Sequence, residues 1–418
     1  MPKLQDVGRV ALTVLAQGLS SITNFAAGAL ALSAASGDLG AFGRFAIAFQ
    51  LCQVVIAIAQ ASTGTSVLIH SASSGGRDVS DDIRSGAASA ALLTGLALGI
   101  SIAASGLLVG GDLRTPLLIA GAGCGALTAQ YTMRSARFAR GDAAGVVRAD
   151  SIWLAVLLAA AAGDAFGGWD PNANAYLAVW LLGAAISALP AVILGLGAGR
   201  QHLATFWRTT GPQALRTGFD GLLARSVFVA TLISTEVIVD DEASGFLAAA
   251  VLVFSPMSVV HSSTLAVVLP GTIREKGIHL STRRLPLQVF AGVAGITVAW
   301  ALFLLLLNET SFGVGPFDLD ANGVTTVLFA ATLARFLGLA FWRGPVLALR
   351  VADAAAESLR ARWIGTAAQW VLPIVGLLLA DLSGGAWGLA IATWFGALVA
   401  WRQYGALRLA SGRRSTAD

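Results

Sequence analysis

Apolar residues run along this chain in blocks of about twenty, separated by short polar breaks, and about twenty is the length a helix needs to cross the hydrocarbon core of a bilayer. Twelve such blocks can be marked. In the first half they cover 10–34, 45–69, 86–108, 115–133, 147–166 and 176–196; in the second, 215–235, 243–269, 287–307, 324–341, 364–380 and 385–400. The expected fold is therefore an all-α membrane protein of about 12 transmembrane helices. The fifth and seventh blocks are the least regular: Arg148 and Asp150 crowd one, and Arg216, Asp220 and Arg225 sit in the other.

Composition points the same way. Hydrophobic residues make up 56% of the 418 and charged residues only 12%, against about 25% charged in a soluble domain. A water-soluble chain of this length could not cover its surface with so few charges. The 48 glycines suit membrane helices, whose backbones approach closely through small residues.

The positive charge tests the topology. With the N-terminus in the cytoplasm, nearly all of the 27 Lys and Arg fall in the N-terminus, the alternate loops and the C-terminal tail that this arrangement places inside, as the positive-inside rule requires. Arg44 and Arg114 fall near the outer face, and Arg335 lies within a helix. Adding or removing one helix would invert every later loop and destroy this segregation. The net charge of +4 thus reflects topology, and no nucleic-acid partner is expected. Both termini are expected in the cytoplasm, on a multi-pass protein of the bacterial cytoplasmic (inner) membrane. The polar start, 1–9, followed by an apolar block too long for a signal h-region, predicts no cleaved leader. Asp240, Asp241, Glu242, Glu309, Asp318 and Asp320 read as solvated charge in outer loops.

No connection is long enough for a folded soluble module, the longest being 197–212 and 271–286. The break after the sixth block divides the chain into an N-terminal six-helix bundle (1–198), a cytoplasmic connecting loop (199–212), a C-terminal six-helix bundle (213–402) and a cytoplasmic tail (403–418). Six is even, so both halves begin on the same side and the expected repeat is parallel, a pseudo-twofold along the membrane normal. Gly43-Arg44-Phe45-Ala46, opening the second helix, is echoed by Ser244-Gly245-Phe246-Leu247-Ala248, opening the eighth. Arg140-Gly141-Asp142-Ala143-Ala144 is echoed by Arg350-Val351-Ala352-Asp353-Ala354-Ala355.

Charges inside a span are expensive and mark candidate sites. Arg335, about six residues from the inner end of the tenth block, either snorkels back to the interface or faces a cavity, where its planar guanidinium suits phosphate. Arg216 and Asp220 are four apart and can pair on one helix face, with Arg225 just beyond; a structural pair and a substrate role both fit. Arg44 reads as an interface anchor or a substrate contact. Uncharged polar residues form a second signal. Gln17, Ser20, Ser21 and Asn24 share one stripe of the first helix, and Gln53 and Gln60 share one face of the second. Such stripes either seal helices together or line a wet cavity whose amides pair with sugar hydroxyls. Ser255, Ser258, His261 and Ser262 form a similar stripe in the eighth. Pro190, Pro256 and Pro373 fall inside spans, as hinges or fixed bends. Cys52 and Cys124 lie in apolar runs and the four histidines are scattered, so no disulfide framework, metal site or cofactor is expected. No phosphate-cradling Gly-x-x-x-x-Gly-Lys-Ser/Thr loop is present.

The opening Gln17-Gly18-Leu19-Ser20-Ser21-Ile22-Thr23-Asn24-Phe25, followed by Asp38-Leu39-Gly40-Ala41-Phe42-Gly43-Arg44-Phe45, resembles the start of Wzx-type polysaccharide (O-antigen) flippases. These belong to the multidrug/oligosaccharidyl-lipid/polysaccharide exporter (MOP) superfamily, whose fold is the MATE-like pair of bundles. The second half resembles it too, with a charged start to the seventh helix, Gly245 opening the eighth and Pro270 closing it before a basic loop. The chain departs from lipid II flippases, which usually carry fourteen helices, and from drug exporters, which carry acids in the N-terminal helices; the first four blocks here contain none. The resemblance implies a flippase that moves a polyprenyl-pyrophosphate-linked oligosaccharide from the inner to the outer leaflet by alternating access, for surface polysaccharide biosynthesis. It also implies that the first helix lines the sugar cavity. The tail would stay in lipid, and the membrane potential or an H+ or Na+ gradient would supply energy. Membrane lipids, a polysaccharide polymerase and glycosyltransferases are the expected partners. The rival readings are a cation-coupled small-molecule exporter of the multidrug type and, further off, a membrane glycosyltransferase or polymerase; the expected answer is a transporter rather than an enzyme.

Overall fold

The first apolar block folds as α1 (Leu4–Ala34). Gly37, at φ 90°, turns the chain where a side chain would be strained. Asp38 then caps α2 (Leu39–Ala59), its carboxylate accepting from the Ala41 N–H at 2.8 Å. The structure is a computed structural model and describes residues 4–35, 37–73, 81–258, 260, 284–309, 317–320, 322–351 and 355–414.

After α2 the chain passes through one π-helical turn, Gln60–Gly64, into α3 (Thr65–Ser73). Next come α4 (Asp81–Val109), α5 (Arg114–Ala139), α6 (Ala143–Ala165) and α7 (Ala173–Gly197). Then follow α8 (Arg200–Ile238), α9 (Asp241–Val253), α10 (Arg284–Glu309), α11 (Thr326–Val351) and α12 (Ala355–Arg414). The last is two helices folded back at Ala380–Asp381, where Asp381 has φ 50°. Among the described residues nine stretches are long and apolar enough to cross a membrane, and one of them, Glu357–Leu409, holds this turn and makes two passes. α5 is equally long but less apolar, because Thr128, Gln130, Thr132 and Arg134 are buried on it. The chain is an all-α, multi-pass membrane protein.

Residues divide by face as a bilayer demands. On α4, Leu93, Leu96, Ile100 and Leu107 form an exposed apolar stripe, while Gly95 and Gly99 on its inner face meet Cys124, Gly125 and Gly121 of α5 so closely that a Cβ would collide with backbone. Large apolar groups face lipid and small ones let helices touch.

Two compact units emerge, Met1–Val229 and Ala230–Asp418. In the first, α5 is central, packing on α2, α4 and α7. In the second, α11 packs on α10 and α12. Trp394 and Trp401 of α12 donate their indole N–H groups to the carbonyls of Ala334 and Phe341 of α11, at 2.9 and 3.0 Å. The two bonds are seven residues apart on both helices and act as parallel staples.

Several boundaries differ from those read in the sequence. Residues 199–212, expected as a loop, are mostly helical: α8 begins at Arg200 and runs unbroken past Pro212. Its first turns are bolted to the N-terminal unit. Phe206 is fully buried among Val67, Ile83, Ala87, Ala90 and Ala136, and His202 Nε2 lies 3.0 Å from Asp82 Oδ1. The division into units falls within α8, at Val229 and Ala230, rather than before it. The fourth span continues to Ala139 and the tenth to Val351, because no Gly or Pro interrupts 134–139, and Pro345 is absorbed inside α11. Both extensions carry arginines that hydropathy alone assigns to loops.

Candidate functional site

Polar side chains on α1 are where the N-terminal unit departs from simple apolar packing. Each of three positions in the predicted stripe meets a different partner. The Asn24 amide oxygen accepts from Gln53 Nε2 of α2 at 3.4 Å. Ser20 Oγ and the Tyr131 hydroxyl of α5 are 3.2 Å apart. The Gln17 amide oxygen accepts from Arg134 Nη2 of α5 at 3.3 Å. Along this face the stripe is a hydrogen-bonded seam, although Gln17, Asn24 and Gln53 remain half-buried.

Arg134 lies at the foot of the seam. It is 5% exposed, and its Nη2 also donates to the Ala16 carbonyl at 3.0 Å. The same nitrogen is 3.4 Å from Asp150 Oδ2 of α6, a carboxylate only 1% exposed. Gln130, one turn back on α5, donates to the other Asp150 oxygen at 3.5 Å. The Arg134 guanidinium stands 5.8 Å from the centre of the Tyr131 ring and 5.7 Å from that of Phe138. A charge this deep costs several kcal/mol unless paired, so Arg134 and Asp150 neutralise one another and hold α1, α5 and α6 at one point. The fourth span is acid-free as expected, but the unit as a whole is not, since Asp150 is buried in the fifth.

Tyr131 is fixed from behind by an aromatic chain. Phe42, Phe45 and Phe49 stack along α2, Phe49 meets Trp180 of α7 at 4.7 Å, Trp180 meets Trp153 of α6 at 5.3 Å, and Trp153 meets Tyr131 edge-on at 6.1 Å. The Trp153 indole is itself held by the Trp180 carbonyl at 2.7 Å.

On the facing side runs α8. Its Gly218 and Gly221 pack on Ser62 and on the Ala57 carbonyl of α2, where a Cβ at Gly221 would stand 2.5 Å from that oxygen. Continuing this antiparallel register by one turn sets Arg225 level with the Gln53 turn of α2. Arg225 is exposed. Among the described residues no carboxylate pairs with Arg225. This unit thus carries half-buried amides (Gln17, Asn24, Gln53), an internally compensated ion pair and, level with the Gln53 turn, an exposed cation with no carboxylate beside it among the described residues. Such a surface can take up an anion with hydroxyls attached.

Other predicted residues stand elsewhere. Asp220 is half-buried on α8, one turn before Arg225, and Gln60 is exposed at the first position of the π turn. Arg44 lies at the far end of α2, 4.0 Å from Asp38 and 3.8 Å from Asp112, bridging two turns as an anchor would. Arg335 belongs to the C-terminal unit, half-buried on α11. Because that helix runs to Val351, sixteen residues beyond, Arg335 is mid-span, about 24 Å along the axis from that end at 1.5 Å per residue. His261 lies outside the described residues. Arg134, Asp150, Gln130 and Tyr131 were not legible as a site. The available signal was the i, i+4 pair Gln130 and Arg134 on a run with no helix breaker before Gly141, whose φ of 76° ends it. Among the described residues no group of His, Cys, Asp or Glu is placed to hold a metal ion.

No protein-family model matches the chain, and no curated protein matches it in sequence. Solved structures do match in fold. A multidrug resistance MATE family transporter of the MOP superfamily, in an inward-facing conformation, superposes with a TM-score of 0.66 at 14% identity, covering 97% of this chain and 96% of its own. A MOP superfamily transporter from Pyrococcus furiosus, described as having a binding pocket of reverse polarity, gives 0.66 at 15% identity over 97% and 95%. The lipid II flippase MurJ, in an inward closed conformation, gives 0.67 at 13% identity over 96% and 90%. The fold is that of MOP superfamily transporters and flippases.

Proposed function

We propose that this protein is a flippase for a polyprenyl-pyrophosphate-linked oligosaccharide, carrying it across the bacterial cytoplasmic membrane for surface polysaccharide synthesis. The observation that supports this most is Arg225, an exposed cation on α8 without a carboxylate partner among the described residues, level with the α2 turn whose Gln53 amide meets that of Asn24. A diphosphate carries negative charge and presents oxygens, to which guanidinium donors are matched. Sugars present hydroxyls, to which amides are matched. Arg335, mid-span in the C-terminal unit, is assigned as the second cation on the substrate's route, with Asp220, Gln60, Arg44 and His261 as further candidate contacts. The membrane potential or a gradient of H+ or Na+ is the proposed energy source, and glycosyltransferases and a polymerase are the proposed working partners.

The test is translocation of a fluorescent lipid-linked sugar in everted vesicles. The parent protein should move it, and Arg225→Ala and Arg335→Ala should each slow it at least tenfold. A parent that moves no lipid-linked sugar, or variants that move it normally, would remove the reading. One observation favours a second reading, a cation-coupled exporter: Asp150 puts a buried carboxylate in the N-terminal unit. Arg134 at 3.4 Å already occupies the place of a cation beside it, which ranks that reading second.

A further inference from the structure

The two flanks of α1 differ in chemistry. Between its core side, where Ala16 and Ala27 are buried, and its opposite side, where Leu15 and Ile22 are exposed, one flank carries Leu19 and Ala26 and the other Gln17, Ser21 and Asn24, all half-buried. Polar groups within a span face the bundle or water rather than lipid. This polar flank also has a fixed polarity. An arginine donates hydrogen bonds and accepts none, so the part of Gln17 that meets Arg134 Nη2 at 3.3 Å is the carbonyl oxygen, and its NH2 is turned away from the cation. Flipping the amide would set N–H against N–H. Arg134 cannot step aside, because Asp150 at 3.4 Å and the Ala16 carbonyl at 3.0 Å hold the same nitrogen. Asn24, two turns on, likewise gives its oxygen to Gln53 Nε2 at 3.4 Å. Neither the Gln17 nor the Asn24 NH2 meets a partner among the described residues.

We infer that Gln17 sets the ligand polarity of this flank: with its oxygen held by Arg134 it offers a ligand only N–H donors, which take the oxygens of an anion such as a phosphate and turn away ammonium ligands. Arg134, fixed by Asp150, acts through Gln17 as a positioning residue. The inference rests on the reading of α1 as part of the substrate's route. An ammonium group needs the Gln17 oxygen, and taking it breaks the bond to Arg134 and strands a buried guanidinium N–H, which is costly. A phosphate oxygen needs the NH2, which is already free and already oriented, so no such bond is lost.

The experiment is a calorimetric titration of the purified full-length protein with inorganic pyrophosphate and, separately, with phenethylammonium, alongside melting temperatures. The parent should bind the anion and not the cation. Gln17→Glu keeps the size and the bond from Arg134 but puts an acceptor where the donors were. Its melting temperature should stay near the parent value while pyrophosphate binding weakens about tenfold or more. Gln17→Met, which removes the donors without adding charge, should weaken it about three- to tenfold, the size of one hydrogen bond. The double variant Arg134→Gln with Asp150→Asn removes the lock without stranding a charge. Gln17 can then turn over, so phenethylammonium binding should appear while pyrophosphate affinity stays within about twofold, an amide having two orientations. The assignment is overturned if Gln17→Glu binds pyrophosphate as the parent does, if the double variant excludes phenethylammonium as the parent does, or if the parent binds no pyrophosphate. Should pyrophosphate bind with this dependence on Gln17 while no lipid-linked sugar moves in vesicles, the substrate reading fails and the role of Gln17 stands.

Discussion

At the scale of single residues the molecule turns on how it treats buried charge. Arg134 and Asp150 are 5% and 1% exposed, and neither is tolerable alone at that depth. Removing one partner of such a pair strands the other, which costs about 3–5 kcal/mol, whereas removing both charges is far cheaper. Asp150→Asn is therefore expected to lower the melting temperature sharply. The double variant Arg134→Gln with Asp150→Asn should recover most of the loss, giving a strongly non-additive cycle in thermal unfolding followed by tryptophan fluorescence. Equal losses in the single and double variants would show that the pair is not the unit described here. Arg225 should behave in the opposite manner: because no carboxylate depends on it among the described residues, Arg225→Ala should leave stability near the parent value.

Helices here are begun by caps and closed together by small residues and indoles. Asp38 caps α2 and Asp240 caps α9, each accepting from the N–H three residues on, at 2.8 and 2.6 Å. They stand at matching points of the two echoing segments around Gly43 and Gly245, so the repeat read from those segments is also a repeat of capping chemistry. Glycines differ by what faces them. Gly376 and Gly384 meet across the turn of α12, where a Cβ on either would collide with the other's carbonyl, while Gly292 on α10 faces open space. Gly376→Ala should destabilise by about 1–3 kcal/mol through overpacking. Gly292→Ala should be neutral or stabilising, up to about 1 kcal/mol, through helix propensity. Melting curves of the two variants in detergent decide this, and a Gly376→Ala protein as stable as Gly292→Ala would contradict the close approach.

For the whole molecule, the open expectation is which side each turn faces. The turn after α5 contains Arg140 and the turn after α6 contains Gly168, and both residues are exposed. One helix separates them, so they belong on opposite sides of the membrane, and the positive-inside count predicts Arg140 inside and Gly168 outside. Cys52 and Cys124 are fully buried and give no background to an impermeant thiol reagent. Arg140→Cys should therefore label in inverted vesicles only and Gly168→Cys in right-side-out vesicles only. Labelling of both from one side would contradict the topology on which the direction of transport depends.

The class, an all-α multi-pass membrane protein, could be read from the twelve apolar blocks alone, because crossing a bilayer constrains every block independently of its neighbours. The sequence also marked Arg225 and the polar stripe of α1, since charge and periodicity are local properties. What it could not decide was which polar groups meet. The seam from Gln17, Ser20 and Asn24 to Arg134, Tyr131 and Gln53 joins residues up to 117 positions apart, and hydropathy ended the fourth span one residue before Arg134, hiding the buried pair. Only tertiary packing separates a compensated arginine from an uncompensated one. Arg134 meets its carboxylate because α5 and α6 are adjacent, and Arg225 stands exposed near α2 because the glycines of α8 bring that helix against it.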